Sequence, residues 1–267
     1  MRNRDNLPWE AGPFMVDIHS HVLWGLDDGA ETYEESLAML QAAAAAGTTD
    51  IVATPHANSQ YVFDPEQIES KIARLESSGE TLPRMHRGCD FHLNFDNVQS
   101  ALKEPGKFTI DHRNYLLVEF PDVAIPAGID GVFAQFLDRG IVPVITHPER
   151  NLLLMRDLPQ LAARVERGCL LQVTALSLLG GFGSRARHHA WELMDRRLVH
   201  AVASDAHDPT RRHARLGEAR AEVAKRAGEE NAELLFVINP GAIVAGGGPA
   251  EIAPMSEFRR RWFLFRR

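Results

Sequence analysis

Two histidines two residues apart, His19 and His21, stand in the stretch 16–21, where apolar and polar residues alternate. This alternation is typical of a β-strand and would place Asp17, His19 and His21 on one face, with Ile18 on the other. Two imidazoles placed in this way can bind one metal ion, because imidazole is the commonest metal ligand in proteins. The alternative is a structural pair of polar residues at a strand end, so the motif needs support from elsewhere in the chain.

Histidines or carboxylates also follow most of the later apolar runs. Six of the seven predicted strand ends carry such residues: His19 with His21, His56, Asp90, Glu119, His147, and Asp205 with His207. The sixth strand end offers Gln172 and Thr174 instead. Asp28, in the Gly/Asp loop after the first strand, can reach the same edge. Taken singly, each residue is more often structural, so their common position at strand ends is the informative feature.

Short apolar runs alternate with helical patterns along the chain. We predict strands near 16–21, 51–53, 84–89, 115–118, 142–145, 170–173 and 199–203. Helices are predicted between them, for example after the capping box of Thr32 and Glu35 and from Pro65 onward, whereas 92–113 is expected to be irregular. Alternation of this length favours parallel βαβ units. The fold class is therefore α/β, a closed or nearly closed seven-stranded barrel, with an open doubly wound sheet as the alternative.

In a parallel α/β barrel the reactive groups lie at the carboxyl ends of the strands. The residues above would then bring five imidazoles and four carboxylates to one mouth. Without cations these carboxylates would raise one another's pKa, whereas divalent ions remove that cost and use the same side chains as ligands. The set contains no thiolate, which suits zinc, manganese or iron. Asp17 is better placed to orient a ligand than to bind metal; the alternative ligands are Asp27, His92, Asp111 and His112.

Composition places the chain among ordinary globular proteins. Its 267 residues, 45% hydrophobic and 24% charged, suit one large α/β domain. A formal net charge of -7 counts against nucleic acid as the main ligand. Cys89 and Cys169 have no paired spacing, which indicates a reducing compartment, and neither is followed by Arg six positions on, which argues against a thiolate phosphatase. With no apparent signal peptide or membrane span, we expect a cytoplasmic protein.

The combined motifs resemble those of the PHP (polymerase and histidinol phosphatase) metallo-phosphoesterases. The resemblance rests on His19-x-His21, Asp28, Thr54-Pro55-His56, Glu119, His147-Pro148-Glu149-Arg150 and Ser204-Asp205-x-His207. It is greatest to the bacterial PHP-type protein-tyrosine phosphatases (CpsB/YwqE-type) of capsule and exopolysaccharide operons. The resemblance implies the PHP fold, a distorted (β/α)7 TIM-like barrel. It divides the chain into an N-terminal extension (1–14), a PHP phosphatase domain (15–245), and a linker with a basic-aromatic tail (246–267).

The resemblance also implies two or three divalent metal ions, with manganese expected and zinc or iron as alternatives. The implied ligands are His19, His21, Asp90 and Asp205 for one ion, Asp90, Glu119 and His147 for a second, and Asp28, His56 and His207 for a third. Asp90 would bridge the first two ions. The family pattern has Glu at this position, and the shorter carboxylate can shift the ions or weaken one site.

Such ions imply hydrolysis of a phosphomonoester. A hydroxide that bridges two ions would attack phosphorus in line, and Asp205 would take part as a ligand of that centre. Arg150 is expected to bind the phosphate oxygens bidentately, and Arg211 or Arg212 could do the same. The alternatives are an ion pair of Arg150 with neighbouring residues and a solvated helix start at Arg211 and Arg212. His207 or a metal-bound water would protonate the leaving group.

By this resemblance the substrate is phosphotyrosine on a protein, a tyrosine kinase that regulates capsular or exopolysaccharide synthesis. The alternatives are a small-molecule phosphatase such as histidinol-phosphate phosphatase and a metal-binding regulatory protein without turnover. A PHP nuclease is disfavoured by the acidic balance. The tail 258–267 carries five arginines among aromatic residues. It predicts contact with an anionic membrane or an acidic partner, or else packing on the barrel.

Overall fold

Parallel strands alternate with helices through residues 14–247, which together with Met255 are the residues that this computed structural model describes. The strands are β1 (Met15–Ser20), β2 (Thr48–Ala53), β3 (His56–Ala57), β4 (Arg84–Arg87), β5 (Asp90–His92), β6 (Tyr115–Glu119), β7 (Val142–Thr146), β8 (Leu170–Thr174) and β9 (Ala201–Ala203). The helices are α1 (Tyr33–Ala45), α2 (Pro65–Glu76), α3 (Phe95–Lys103), α4 (Ile129–Asp138), α5 (Leu152–Arg156), α6 (Leu158–Glu166), α7 (Ala175–Leu179), α8 (Gly183–Asp195), α9 (Leu216–Ala227), α10 (Glu229–Glu233) and α11 (Asn239–Ala245). A π-helical segment, Leu234–Ile238, joins α10 to α11.

Seven strand positions close into a parallel barrel. Two positions hold a pair of short strands each, since β2 continues as β3 and β4 continues as β5 after an interruption of two residues. The hydrogen-bonded order is β1-β2-β4 in one part and β3-β5-β6-β7-β8-β9 in the other. Between β9 and β1 the Asp205 N–H donates to the His19 carbonyl and the His21 N–H donates to the Ala206 carbonyl, both at 2.8 Å. The predicted distorted (β/α)7 barrel is confirmed, and the open sheet is excluded.

One end of the barrel interior is filled with apolar side chains. Val16, Ile18, Leu117 and Val144 of the strands are buried there with Ile243 of α11. We call this region, where the strands begin, the barrel base. Helix α11 contacts β1 and β9 and closes the base. Burial of these side chains stabilises the fold by about 25 cal/mol for each Å² of apolar surface removed from water. Polar side chains are left for the opposite end.

An extra residue in β1 decides where its side chains point. The pairing between β1 and β2 advances three residues on β1, from Asp17 to Ser20, against two on β2. Such a bulge interrupts the alternation of side chains, and bulges are common beside active sites. Ile18 therefore packs in the barrel base, while His19 and His21 above it also face the interior. The predicted alternation, with Ile18 opposite the histidines, is wrong for this reason.

The segment 92–113, predicted to be irregular, contains the nine-residue helix α3. Asn94 caps the helix, because its side-chain oxygen accepts a hydrogen bond from the Asn97 N–H at 2.9 Å. Val98 and Ala101 bury its inner face. So short a helix needs few apolar residues to cover one face, and its polar composition therefore misled the prediction.

The two predicted terminal segments lie almost entirely outside the described residues. Of the N-terminal extension (1–14) only Phe14 is described, and of the linker and tail (246–267) only Gly246, Gly247 and Met255. The basic-aromatic run 258–267, predicted to contact a membrane or a partner, is outside the described residues. Among the residues that are described, no helix has both the length and the apolar character that crossing a bilayer requires.

Candidate metal centre

The nine predicted metal ligands all meet where the strands end. We call this set the mouth: His19, His21, Asp28, His56, Asp90, Glu119, His147, Asp205 and His207. Their candidate ligand atoms lie within 4.8 Å of one another in four overlapping groups: His21, Asp28, His56 and His207; His19, Asp90 and His147; His19, His21 and Asp205; and His56, Asp90 and Glu119. Folding therefore gathers side chains that are as much as 188 positions apart in the chain, from 19 to 207.

The carboxylates of the mouth are shared between imidazoles. Asp90 Oδ2 lies 3.6 Å from His19 Nε2 and 3.3 Å from His56 Nδ1. Asp205 Oδ1 lies 3.6 Å from His19 Nε2 and 3.5 Å from His21 Nε2. Each carboxylate thus faces two imidazole nitrogens at distances longer than a good hydrogen bond. Spacing of this kind leaves room for an ion between the ligands.

The grouping reproduces one of the implied ligand sets and divides the other two. The third set falls within one group, which His21 joins. The first set is spread over two groups that share His19. The second set is split, because Asp90 groups with His147 and separately with Glu119. Asp90 therefore occupies the shared position that a bridging ligand needs. The assignment of each residue to an ion stays a prediction.

Hydrogen bonds at Nδ1 orient three of the imidazoles. The His19 ring faces Gln172 Oε1 at 2.9 Å, and the His21 ring faces Asp27 Oδ2 at 2.6 Å. The His207 ring faces the backbone carbonyl of residue 205 at 3.0 Å. When Nδ1–H donates to these acceptors, the Nε2 lone pair of each ring faces the mouth. Partners of this kind fix the tautomer and the orientation of metal-binding histidines.

Asp27 supports the mouth and is not among its grouped ligands. Besides its contact with His21, its carboxylate accepts hydrogen bonds from the His56 N–H at 3.0 Å and from the Gly29 N–H at 2.9 Å. Burial alone would raise the pKa of Asp27, but His21 and these backbone donors lower it. Asp27 is therefore an ionised group that holds one imidazole and one loop in place.

Asp17 has a similar supporting position, as predicted. Its Oδ1 accepts hydrogen bonds from the Ser204 N–H at 3.0 Å and from the His19 N–H at 3.3 Å, so it ties the end of β9 to the bulge in β1. The residue is fully buried, and burial raises the pKa of its carboxyl to about 6. Asp17 therefore holds the backbone of His19 and of Ser204, which precedes Asp205. Its carboxylate does not belong to the mouth itself.

The remaining alternative ligands lie in different places. His92 borders the mouth, with Nδ1 3.3 Å from Glu119 Oε2. Asp111 lies 2.7 Å from His86 Nδ1, beside β4, and His112 contacts the Arg87 guanidinium. These last two positions are on the side of the barrel base, so they do not take part in the mouth.

Two buried carboxylates keep their charge in the mouth. Burial alone would raise their pKa, but His19 and His56 hold the pKa of Asp90 well below its usual range. Arg150 and His19 do the same for Asp205. In return, Asp90 and Asp205 outweigh the effect of burial and raise the pKa of His19 to about 9. The carboxylates and imidazoles of the mouth therefore depend on one another electrostatically, and a metal cation among them would stabilise the carboxylates in the same way.

Two other imidazoles of the mouth are neutral at pH 7. Burial, aided by the Arg150 charge, lowers the pKa of His147 well below its usual range. Burial and the nearby His21 lower the pKa of His207 to about 3. A neutral imidazole offers the lone pair that binds a metal, and it is not the form that donates a proton as an acid. The predicted acid role of His207 stays a prediction.

Two orphaned atoms test whether the mouth fits metal ions. Asp90 Oδ2 and His56 Nδ1 are buried and have no hydrogen-bond partner, although they face each other at 3.3 Å. Buried polar atoms without a partner are rare, because the lost hydration costs free energy. A divalent ion bound to both atoms would satisfy them. The donor set of imidazole and carboxylate suits manganese, zinc or iron, so these residues fit the implied ions.

Backbone strain accompanies two of the mouth residues. His147 follows β7 with φ of 34°, and Asp205 follows β9 with φ of 51°. Residues other than glycine seldom adopt positive φ, and such strain is concentrated at functional sites. In both places the strained residue follows the end of a strand and is itself a member of the mouth.

Two arginines border the mouth beside an aromatic ring. Arg150 Nη1 contacts Asp205 Oδ2, and Arg212 Nη2 lies 2.9 Å from the same oxygen. The guanidinium carbons lie 4.6 Å and 5.6 Å from the Phe182 ring centroid. Arg211 is exposed, and its backbone N–H donates to Asp208 at 2.6 Å. Of the two predicted alternatives, Arg212 is thus the one whose side chain reaches the mouth.

Phe182 was missed by the sequence reasoning. It lies beyond β8, the strand end that supplies neither an imidazole nor a carboxylate. Its apolar side chain carries no chemical signal of its own. The available signal was the position of Phe182 in the chain. Every other strand end supplies a residue to the mouth, so a residue that follows β8 is expected to border the mouth on the side of that strand.

Similarity to known proteins decides the family. A family model described as capsular polysaccharide synthesis, CpsB/CapC, matches residues 15–245. The chain belongs to the CpsB/CapC family. CapC of Staphylococcus aureus is 36% identical over 202 residues, which cover 74% of this chain and 79% of CapC. The tyrosine-protein phosphatase YwqE of Bacillus subtilis is 32% identical over 237 residues, which cover 83% of this chain and 91% of YwqE.

The CpsB/CapC fold is also known from solved structures. A structure from work on YwqE of Bacillus subtilis and CpsB of Streptococcus pneumoniae, described as unique metal-dependent tyrosine phosphatases, matches with a TM-score of 0.82 and 29% identity. The match covers 91% of this chain and 100% of the other. The resemblance predicted from the strand-end motifs is therefore confirmed, and all nine mouth residues lie inside the CpsB/CapC match.

Proposed function

We propose that this CpsB/CapC-family chain is a metal-dependent tyrosine-protein phosphatase. The observation that carries the proposal is the mouth, where nine imidazole and carboxylate side chains form overlapping groups within 4.8 Å. The activity is supported by the relatives named tyrosine-protein phosphatases. The metal dependence is supported by the description of the YwqE and CpsB structures.

The mouth residues would hold two or three divalent ions, with manganese expected. His19, His21, Asp90 and Asp205 would hold one, and Glu119 and His147 would complete a second with Asp90. Asp28, His56 and His207 would hold a third. When bound, such ions supply a water of lowered pKa as the nucleophile and stabilise the charge that develops on the phosphoryl oxygens.

The chain's own residues position the phosphate. Asp205 turns Oδ1 toward His19 and His21 and Oδ2 toward Arg150 and Arg212. A phosphate bound at the mouth therefore lies next to two guanidinium groups. Arg150 and Arg212 bind its non-bridging oxygens, since guanidinium donors match phosphate bidentately. Phe182, packed against both guanidinium groups, restricts their movement. Tyrosine leaves as a phenol, whose low pKa makes a strong general acid unnecessary.

The substrate in this proposal is a protein. The family is described by capsular polysaccharide synthesis, and a tyrosine kinase that regulates capsular or exopolysaccharide synthesis is the partner that we infer. The mouth would recognise the phosphate group, and partner identity depends on surfaces outside it.

The test is a comparison of substrates with and without metal. Purified protein is freed of metal with a chelator, manganese is restored, and turnover of a phosphotyrosine peptide, p-nitrophenyl phosphate and histidinol phosphate is measured. We expect turnover of the peptide only with metal. Turnover of histidinol phosphate but not of the peptide would contradict the proposal and favour the small-molecule phosphatase. No turnover of any ester with metal bound would favour the regulatory alternative.

Substitution of Arg150 tests the role of the guanidinium groups. Arg150→Ala should raise KM for p-nitrophenyl phosphate by about tenfold to a hundredfold with a smaller change in kcat, because a charged hydrogen bond to the phosphate is lost in the ground state as well. Arg211→Ala, which changes an exposed neighbour, is the matched control and should leave KM within about twofold. Unchanged kinetics of Arg150→Ala would remove this residue from the site.

A further inference from the structure

Four exposed apolar side chains lie on the loops and helix starts that follow the strands around the mouth. Among the described residues, six large hydrophobic side chains are exposed, and four of these follow the strands β3, β5, β6 and β7. We call these four the apolar rim: Val62, Phe95, Val123 and Leu152. Single exposed hydrophobic residues are common on any protein surface. A set that gathers on one side of the molecule marks an interaction site more often than chance exposure does.

The topology places the apolar rim on one arc. Strands β3, β5, β6 and β7 are consecutive neighbours in the sheet, so the loops that follow them are also neighbours. Each rim residue comes four to six positions after a mouth residue of the same strand position, as Val123 does after Glu119 and Val62 after His56. A chain of six residues spans at most about 20 Å. Each rim residue therefore lies at most about 20 Å from a mouth residue, on the same arc of the barrel.

The exposure of these side chains is nearly complete. Val62 is 91% exposed, Val123 is 90% exposed and Phe95 is 77% exposed. They therefore contribute little to the packing of the barrel in the free protein. Their apolar surface would stabilise a complex in which a bound partner removes it from water. Leu152, at the start of α5, is 42% exposed and comes two positions after Arg150 in the chain.

We propose that the apolar rim binds the apolar side chains that flank the phosphotyrosine of a protein substrate. This inference rests on the proposed function, and it names the class of peptide that the site prefers. With the phosphate at the mouth, the long tyrosine side chain holds the peptide backbone above the strand ends, at the level of the loops. Flanking residues, at about 3.3 Å for each position, then fall on the rim. A small ester has no flanking residues and gains nothing from this surface.

The experiment measures selectivity between esters. Two phosphotyrosine peptides of equal charge, one with Leu and Val beside the phosphotyrosine and one with Ser and Gly, are compared with p-nitrophenyl phosphate. The variant Phe95→Ser/Val123→Ser is compared with Ile238→Ser, which changes an exposed apolar residue between α10 and α11. We expect the wild-type protein to prefer the apolar peptide. The rim variant should lower the ratio of kcat/KM for that peptide to kcat/KM for p-nitrophenyl phosphate by about tenfold. Ile238→Ser should leave the ratio unchanged.

The outcomes separate this inference from the proposed function. If the wild-type protein with metal hydrolyses neither peptide, the proposed function fails. If it hydrolyses both peptides equally and the rim variant keeps the ratio, only the apolar rim proposal is overturned. A rim variant that lowers the sedimentation coefficient would assign the surface to a second copy of the chain. Loss of binding to anionic vesicles would assign it to a membrane, and either result also overturns the proposal. Should the double variant fold poorly, Val62→Ser gives the same comparison at a side chain that is 91% exposed.

Discussion

The barrel base and the mouth are built from the same strands but have opposite energetics. On β6, Leu117 packs in the base and Glu119, two residues on, reaches the mouth. Near β9, Ala203 and Asp205 divide in the same way. Burial at the base stabilises the fold. At the mouth, the same depth of burial acts on charged groups, which lose hydration and depend on one another as counterions.

This contrast teaches where the protein can change without losing its fold. The base is filled by apolar side chains, whereas the mouth holds buried polar atoms without a hydrogen-bond partner at Asp90 and His56. The base therefore determines stability. The mouth carries a cost that bound cations would remove. Substitutions at the two ends should separate activity from stability.

The largest expected effect is on activity, at the mouth. Asp205→Asn should lower kcat/KM for p-nitrophenyl phosphate by about 10³-fold or more, because a metal site supplies several kcal/mol of transition-state stabilisation. Bound metal should fall in parallel, as measured by elemental analysis. The control is Asp138→Asn, an exposed carboxylate at the end of α4. Full activity of Asp205→Asn would refute the assignment of the mouth as the reactive centre.

At the base, the expected effect is on stability. Ile243→Ala removes a fully buried side chain and should lower the free energy of unfolding by about 2–4 kcal/mol, measured by urea denaturation. kcat below the transition should stay within about twofold, since the mouth is untouched. Ile238→Ala, at a side chain that is 51% exposed, is the matched control and should change stability by less than about 0.5 kcal/mol. Equal destabilisation by both variants would deny that α11 closes the base.

A smaller effect is expected from the partner of a mouth imidazole. Asp27→Asn removes the charge that orients His21 and should weaken metal affinity by about tenfold to a hundredfold. Turnover should therefore recover at high manganese concentration, which distinguishes a positioning role from a ligand role. The measurement is activity against metal concentration. Loss of activity that no metal concentration restores would place Asp27 among the ligands themselves.

The smallest effect concerns an ion network beside the base. Burial alone would lower the pKa of His86, but Asp111 and Asp50 raise it to about 9. A folded-state pKa above the ordinary value of 6.5 means that this charge pair stabilises the fold fully below about pH 6.5 and is lost as pH rises through about 9. His86→Gln should therefore cost on the order of 1 kcal/mol at pH 6 and much less at pH 9.5. Urea denaturation at both pH values measures the difference. A pH-independent cost would show that His86 acts through packing.

Much of the mouth could be predicted from the sequence because its chemistry is local. Every ligand except Asp28, which is in the loop after β1, stands at or next to a strand end. Parallel strands bring their ends to one edge, so residue type and strand position are sufficient for these ligands. The bulge in β1 could not be predicted, because one extra residue leaves no mark on the local pattern. The roles of Asp27 and Phe182 depend on contacts with distant residues, His56 and Arg212, that only the fold creates.

The most direct test of the central claim, that the mouth binds several catalytic metal ions, is elemental analysis of protein purified without added metal, followed by chelation and restoration. We predict two or three divalent ions for each chain, loss of phosphotyrosine peptide turnover on their removal, and recovery with manganese. Asp90→Asn should bind fewer ions than the wild-type protein. Less than one ion for each chain, together with full turnover after chelation, would contradict the claim.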